Sequence, residues 1–179
     1  MEVSQVILVN EKDEVLGAAE KLKAHQEGLL HRAFSIFIFN ADGQMLLQQR
    51  ALHKYHSGGL WTNACCSHPM PNESTANAAI RRLQEEMGFT TPITKAFDFV
   101  YKVNFDNGLT EYEFDHVYTG TYDGIINYNE QEVMAYRYMN VQELQVQIQS
   151  HPTHYTEWFK IAFPKILQWW ANKFNTKVA

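Results

Sequence analysis

Hydrophobic residues in the first half of the chain follow the spacing of β-strands. Residues 6–9 predict a short buried strand, and residues 33–39 predict a second strand whose apolar side chains continue on both faces. The Asp-Gly pair within residues 40–43 tolerates positive φ, so it predicts a hairpin turn, and residues 44–49 predict the strand that returns from it. Residues 20–26 fit either a helical turn or a loop.

An amphipathic run between residues 74 and 88 predicts a helix. Ser74 is a typical N-cap, and Gly88 is typical of the position just past a helix C-terminus. The apolar stripe that would face the core is made of Ala76, Ala79 or Ile80, Leu83 and Met87.

The second half of the chain predicts three further strands and two helical regions. Residues 93–103 and 111–122 alternate in polarity around an Asn-Gly turn, and residues 132–139 predict one more strand. Residues 141–148 predict a short helix, and residues 155–174 form an aromatic amphipathic run in which Pro164 predicts a kink or two helices. This order of elements predicts an α/β (α+β) fold, in which helices pack against a mixed β-sheet.

Length and composition narrow the class of protein. A chain of 179 residues favours a single domain, spanning residues 1–179. A net charge of -5 argues against a nucleic-acid partner, and no apolar run approaches the length that spans a membrane. The first four residues do not resemble a signal peptide, and the adjacent cysteines Cys65 and Cys66 cannot cross-link a fold. We therefore expect a cytoplasmic protein.

Three histidines and two glutamates are candidate metal ligands. Glu111 and Glu113 are two apart on a predicted strand, so their side chains point to one face. Together with His25, His31 and His68, they would suit Zn²⁺, Mn²⁺ or Fe²⁺ better than Ca²⁺. Spacing alone does not bring them together, so ordinary surface histidines and a solvated strand face stay open as alternatives. The other histidines are interpreted as having no part in a site: His53, His56, His116, His151 and His154.

Cys66 and the predicted helix carry further candidate chemistry. A thiol with a pKa near ~8.5 can donate a proton at neutral pH, although a lone cysteine is more often a small buried side chain, which is our interpretation of Cys65. Arg82 and Glu86 are four apart, so they fit either a surface ion pair or a site where arginine meets a phosphate and glutamate meets Mg²⁺. Cations that could complete such a diphosphate pocket are Lys21, Arg50 and Lys54.

Residues 67–89 resemble a degenerate Nudix box, in which a glycine, a Glu, and an Arg-Glu-x-x-Glu-Glu-x-Gly cluster recur at fixed spacing. Matching positions are Glu73, Arg81, Leu83, Glu85, Glu86 and Gly88. Two positions depart from the pattern: Ser67 replaces the opening glycine, and Arg82 replaces the first glutamate of the metal-binding cluster. The second departure puts hydrolysis in doubt, because Nudix hydrolases rely on that cluster.

Those departures are similar to the pattern of type I isopentenyl-diphosphate isomerases. The resemblance covers nearly the whole chain and includes Thr62 to Pro69, His25, His31, Tyr101, the Glu111-Tyr112-Glu113 run and Trp158. It implies a Nudix-type mixed β-sheet sandwiched by helices, and an enzyme that interconverts isopentenyl and dimethylallyl diphosphate through a tertiary carbocation.

The resemblance also implies a role for each candidate residue. Cys66 and Glu113 would be the acid and the base, Tyr101 would hydrogen-bond near Glu113, and Trp158 would face the carbocation. The implied ligands of an Mn²⁺ or Zn²⁺ ion are His25, His31, His68, Glu111 and Glu113, and Glu86 would hold Mg²⁺ with the substrate diphosphate. The implied diphosphate contacts are Lys21, Arg50, Lys54 and Arg82.

Two other functions are kept as alternatives. One is a Nudix hydrolase of a nucleoside or prenyl diphosphate, and the other is a non-catalytic binding module with a structural metal. The expected partner is a small prenyl diphosphate, and the chain would act as a monomer or homodimer. An N-terminal segment that carries Lys21 and His25 in a loop would be able to close over the substrate.

Overall fold

The structure is a computed structural model, and it describes residues 4–54 and 56–175. The prediction that the N-terminus is not a signal peptide concerns residues 1–3 in part, and these lie outside the described range. None of the helices in the described part of the chain combines the length and apolar character needed to cross a membrane.

Nine strands and four helices make up the described chain. The strands are β1 (Gln5–Val9), β2 (Val15–Glu20), β3 (His31–Phe39), β4 (Met45–Arg50), β5 (Trp61–Asn63), β6 (Cys65–Ser67), β7 (Ile93–Asn104), β8 (Thr110–Thr121) and β9 (Val133–Met139). The helices are α1 (Lys21–Glu27), α2 (Thr75–Met87), α3 (Val141–Ser150) and α4 (Glu157–Asn175), with a short 3₁₀ turn at Pro152–His154.

Strand β3 lies at the centre of one mixed sheet. It pairs in parallel with β8 along its whole length, from His31 opposite Glu113 to Phe39 opposite Thr121. The opposite edge of β3 pairs with three strands in turn: β1 at His31, β6 at residues 34–36 and β4 at Phe39. Strand β7 extends the sheet beyond β8, and β5 and β9 flank β4. The mixed sheet therefore agrees with the fold class that the sequence predicts.

Alternate residues of β3 pack into two separate cores on opposite faces of the sheet, which explains the continuous apolar run of this strand. Phe34, Ile36 and Ile38 pack with the buried side of α2, including Leu83 and Met87. On the opposite face, Phe37 and Phe39 join a second core that contains the buried residues of α3 and α4. Helices thus cover both faces of the sheet, as predicted.

Several local predictions were wrong in detail. Residues 15–20 form an edge strand, β2, that sequence reasoning missed, because Val15 and Leu16 are 61% and 68% exposed and show no buried alternation. The predicted hairpin turn is present, but only Phe39 pairs with Met45, after which β4 leaves β3 to join β5 and β9. Of the two alternatives for residues 20–26, the helical one is confirmed, because Lys21–Glu27 form α1, so Lys21 and His25 do not lie in a loop.

The last helix continues through its proline. Pro164 lies inside α4, so the prediction of two helices was wrong. An internal proline costs about 3 kcal/mol. The buried side chains on both sides of it, Phe159, Phe163 and Ile166, hold the helix against the sheet and offset this cost.

Helix α2 begins after the Ser74 cap and ends at Gly88, as predicted, but its buried face is rotated from the predicted stripe. Ala76 is exposed and Ile80 is 37% exposed, whereas Ala78 and Ala79 are fully buried. Two adjacent alanines at the contact allow the helix to lie close to β6 and β3.

A pair of substitutions in α2 tests this assignment of the buried face. Leu83→Ala should lower the free energy of unfolding by about 2–5 kcal/mol, because it leaves a cavity in the core. Ile80→Ala should change it by less than about 1 kcal/mol, because the side chain is partly solvated. Urea denaturation of both variants measures the difference, and equal losses would contradict the assignment.

Candidate active site

Strand register gathers the candidate residues on the face of the sheet that α4 covers. Glu111, Glu113 and Asp115 alternate along β8 and therefore point to the same face. Parallel pairing sets His31 beside Glu113, and antiparallel pairing sets Ser35 beside Cys66. His68 follows Cys66 by two residues, and Cys65 points the other way into the α2 core, as predicted.

Three imidazoles and one carboxylate converge at one end of this face. The ligand atoms of His25, His31, His68 and Glu113 all lie within 4.8 Å of one another. Glu113 Oε1 lies 2.8 Å from His68 Nε2 and 3.5 Å from His31 Nε2. The two Nε2 atoms of His31 and His68 are themselves 3.2 Å apart.

The backbone fixes the orientation of two of these rings. A carbonyl oxygen can only accept, so Nδ1 of His25 donates to Lys21 O at 2.7 Å and Nδ1 of His31 donates to Leu29 O at 2.8 Å. Each Nε2 then carries a lone pair that points into the cluster. Burial lowers the pKa of His25, and it lowers the pKa of His68 to about 3, so these imidazoles are neutral at pH 7. Imidazoles whose orientation the backbone fixes, beside a carboxylate, fit a divalent transition metal.

His56 also lines the cavity, so the expectation that it lies apart from the candidate site was wrong. Its Nε2 lies 3.2 Å from Glu111 Oε1, and it forms a second possible metal-binding group with His25 and Glu111. The ring lies edge-on to Trp158. The signal that could have found His56 is its position two residues after Lys54, in the same loop as a predicted diphosphate contact.

The remaining histidines agree with the prediction that they have no part in the site. His116 is buried on the opposite face and pairs with Asp13. His53 is exposed, and His151 and His154 are exposed and lie against each other.

The Tyr101 hydroxyl lies between the carboxyl groups of Glu111 and Glu113. The Tyr101 hydroxyl lies 2.6 Å from Glu113 Oε2 and 2.8 Å from Glu111 Oε2. Burial and the charge of Glu113 raise the pKa of Glu111 to about 8. Although burial opposes it, the pKa of Glu113 is lowered, because the imidazole of His68, whose Nε2 lies 2.8 Å away, stabilises its carboxylate. Glu113 is therefore the ionised member of the pair.

The thiol of Cys66 lies in a polar niche of the same face. Its Sγ is 3.0 Å from Asn63 Oδ1 and 3.5 Å from Ser35 Oγ, and Ser35 donates its proton to Asp115 at 2.7 Å. Burial and the neighbouring Asp115 raise the pKa of Cys66, so the sulfur retains its proton at neutral pH. Burial also raises the pKa of Asp115, to about 8.

Cationic side chains and Glu86 occupy the other end of the site. Arg82 contacts Glu86 at 2.6 Å and Glu132 at 3.4 Å, and Lys54 also pairs with Glu132. Glu86 is 6% exposed, so this is not the surface pair that remained open from the sequence. Gln48 donates to the second oxygen of Glu86 at 2.9 Å. Sequence reasoning missed Gln48, which lies on β4, and Glu132, which lies in the turn before β9, because neither has a motif around it.

One cavity, with about 560 Å³ of empty space, joins the two ends. It is lined by Lys21, Ser35, Arg50, Lys54, His56, Cys66, Ser67, His68, Arg82, Glu86, Tyr101, Glu111, Glu113 and Trp158. His25 and His31 do not line the cavity, but they contact two residues that do, Glu111 and Glu113. The fold thus brings together every residue that the sequence proposed for the site.

Solved structures with the same fold agree with this architecture. A crystal structure of DR0079 from Deinococcus radiodurans superposes with a TM-score of 0.69 at 19% identity, covering 83% of this chain and 90% of that one. A MutT protein from Methanosarcina mazei gives a TM-score of 0.64 at 16% identity, covering 78% of this chain and 94% of that one. At these identities, the likeness concerns the fold.

Sequence comparison is more specific. Residues 29–159 match the NUDIX domain model. An isopentenyl-diphosphate Delta-isomerase from Pectobacterium atrosepticum is 46% identical over 170 residues, which cover 95% of both chains. An isopentenyl-diphosphate Delta-isomerase 2 from Aromatoleum aromaticum is 48% identical, over 91% of this chain and 86% of that one. The chain therefore belongs to the isopentenyl-diphosphate Delta-isomerase family of the Nudix superfamily.

Proposed function

We propose that the protein interconverts isopentenyl diphosphate and dimethylallyl diphosphate by adding and removing protons. The observation that carries this proposal is the composition of one cavity, which is lined by the Cys66 thiol, the Glu113 carboxylate and four cationic side chains. The relatives named above support the same reaction. The proposed catalytic unit is the whole chain as a single domain.

The cationic side chains that line the cavity would bind the diphosphate. Lys21, Arg50, Lys54 and Arg82 supply charge and hydrogen-bond donors that match phosphate oxygens. In the structure, Glu132 pairs with two of these cations, so substrate binding would replace that carboxylate. Glu86 would hold Mg²⁺ together with the diphosphate, where the ion would neutralise part of the substrate charge, and Gln48 fixes the orientation of this carboxylate.

Two further groups that line the cavity would perform the proton transfers. One group donates a proton to the terminal alkene carbon of isopentenyl diphosphate, which leaves a tertiary carbocation. The second group removes a proton from the carbon next to the diphosphate-bearing carbon, and the new double bond forms there. Cys66 and Glu113 are the two groups. Because the reaction is reversible, each acts as acid in one direction and as base in the other.

Groups around these two residues support the transfers. Tyr101 hydrogen-bonds Glu113 and limits its movement. Trp158 is 4% exposed and lines the cavity, so its ring would stabilise the carbocation by a cation–π contact worth about 2 kcal/mol or more when desolvated. The low solvent access of the site would protect the cation from capture by water.

A second divalent metal, Mn²⁺ or Zn²⁺, would bind His25, His31, His68, Glu111 and Glu113. When bound, such an ion would position Glu113 and tune its affinity for protons. The observation that supports this ligand set is the convergence of His25, His31, His68 and Glu113, with two of the rings held by backbone carbonyls.

This site lacks one feature that a Nudix hydrolase needs. Arg82 occupies the position of the first glutamate of the Nudix metal cluster, and it pairs with Glu85 and Glu86. A cation there binds a phosphate but cannot hold a metal against it. The proposed partner is therefore a prenyl diphosphate. The proposal also includes a monomer or homodimer as the oligomeric state and the cytoplasm as the location.

Product analysis tests the proposed reaction. The protein should convert isopentenyl diphosphate into dimethylallyl diphosphate when Mg²⁺ and Mn²⁺ or Zn²⁺ are present. Phosphorus and proton NMR of the mixture identify the products. Release of inorganic phosphate would favour the hydrolase, and unchanged substrate would favour the non-catalytic module.

Substitution of the two proton-transfer groups tests the mechanism. Cys66→Ala and Glu113→Gln should each lower kcat by at least about 10²–10⁴-fold, because each removes an acid–base group. Cys65→Ala is a matched control, since that thiol points into the opposite core, and it should keep kcat within a few fold. Circular dichroism checks that the variants fold. A fully active Cys66→Ala protein would rule out the assignment.

Metal titration tests the histidine cluster. His31→Ala should weaken binding of Zn²⁺ or Mn²⁺ at least about 100-fold by calorimetry, because it removes a ligand at the centre of the cluster. Metal at 100 times its dissociation constant should stabilise the wild type by about 2.7 kcal/mol. His116→Ala, which alters a buried histidine on the other face of the sheet, should leave the affinity unchanged. Equal affinities in both variants would contradict the ligand set.

A further inference from the structure

Thr62 and Asn63 lie between Cys66 and Trp158, although neither residue lines the cavity. Both are on β5, and they are 1% and 0% exposed. Register opposes them to Gln48 and Leu47 of β4, so the backbone that carries them is held inside the sheet. Buried polar side chains in such a place must satisfy their hydrogen bonds within the protein.

The amide of Asn63 has a single orientation. Its nitrogen donates to Ile36 O at 3.0 Å and to Cys65 O at 2.9 Å, which are acceptors only. The amide oxygen must then face the other way, where it accepts from Thr62 Oγ1 at 2.9 Å and from Cys66 Sγ at 3.0 Å. A flipped amide would place its oxygen against these two carbonyl oxygens, which cannot donate, so the thiol of Cys66 acts as a donor to Asn63 Oδ1.

The hydroxyl of Thr62 is fixed by the same reasoning. The indole of Trp158 can only donate, and its Nε1 lies 3.0 Å from Thr62 Oγ1. Thr156, which is fully buried, donates to the same oxygen at 3.1 Å. The single proton of Thr62 is therefore directed to Asn63. The hydrogen bonds that link Trp158, Thr62, Asn63 and Cys66 therefore each have one possible direction.

We propose that Thr62 and Asn63 are positioning residues that hold the Cys66 sulfur and the Trp158 ring in one fixed relation. This inference rests on the proposed function, in which the sulfur exchanges a proton with the substrate and the ring faces the carbocation. A buried chain with one hydrogen-bond arrangement prevents both side chains from rotating. Small displacements of reacting groups can cost about 10²-fold in rate, so the effect falls on turnover and not on diphosphate binding.

Thr62→Val tests the proposal, because valine keeps the shape of threonine and removes its hydroxyl. Steady-state kinetics with isopentenyl diphosphate should show kcat lowered about 10- to 100-fold, with KM within about twofold of wild type. Thr62→Ser restores the hydroxyl and should recover kcat to within about threefold. Thr156→Val is the matched control, since it removes a buried hydroxyl from the same oxygen but does not lie between Trp158 and Cys66. It should keep kcat within about threefold.

A Raman measurement reports the thiol directly. In a Cys65→Ala protein, Cys66 provides the single S–H stretching band, because the chain has two cysteines. Removal of the acceptor by Asn63→Ala should shift this band to higher frequency, as expected of a thiol that has lost its hydrogen bond.

Four results would overturn the proposal: a Thr62→Val enzyme with wild-type kcat, a loss confined to KM, a Thr62→Ser enzyme as slow as Thr62→Val, or a Thr156→Val enzyme as slow as Thr62→Val. An unshifted S–H band in the Asn63→Ala protein would overturn it as well. Failure of the proposed function gives a different result, because the wild-type protein itself would then form no dimethylallyl diphosphate.

Discussion

The parallel pairing of β3 with β8 is the constraint on which the site depends. Because residues of a strand alternate between faces, this register places His31 beside Glu113 and turns Glu111 and Asp115 to the same side. The short strand β6 then adds Cys66 beside Ser35. A shift of one residue in either pairing would turn these groups into the α2 core, so the chemistry of the cavity requires this register.

The sequence predicts the parts of this structure that rest on local patterns. Helix α2, with its cap at Ser74 and its stop at Gly88, and the two long strands around the Asn-Gly turn follow from spacing alone. Edge strand β2 carries exposed apolar residues and gives no such pattern. The unbroken α4 depends on tertiary packing that outweighs the cost of Pro164. The residues alone offered Cys66 as a candidate proton donor and Glu113 as a candidate metal ligand. The family resemblance implied their acid–base roles, and it gave no reason to select His56.

Helix α2 shows how a phosphate-binding scaffold accommodates a different reaction. Glu73 and Arg81 keep the ion pair that ties the loop to the helix, at 2.8 Å. Arg82 replaces an acidic ligand with a cation at the mouth of the cavity, while Glu86 stays buried and held by Gln48. In the proposed function, the helix would therefore keep a part in diphosphate binding without the first glutamate of the hydrolase cluster, and the proton-transfer groups would come from β6 and β8.

In the proposed reaction, protons move between these side chains and the carbon atoms of the substrate. Proton NMR of the reaction in deuterium oxide measures this movement directly, since the acid group exchanges with solvent before it acts. We expect deuterium in a methyl group of the dimethylallyl diphosphate that forms, and much slower formation of that labelled product when Cys66 is replaced by alanine. Dimethylallyl diphosphate that forms with no deuterium from the solvent would rule out this mechanism.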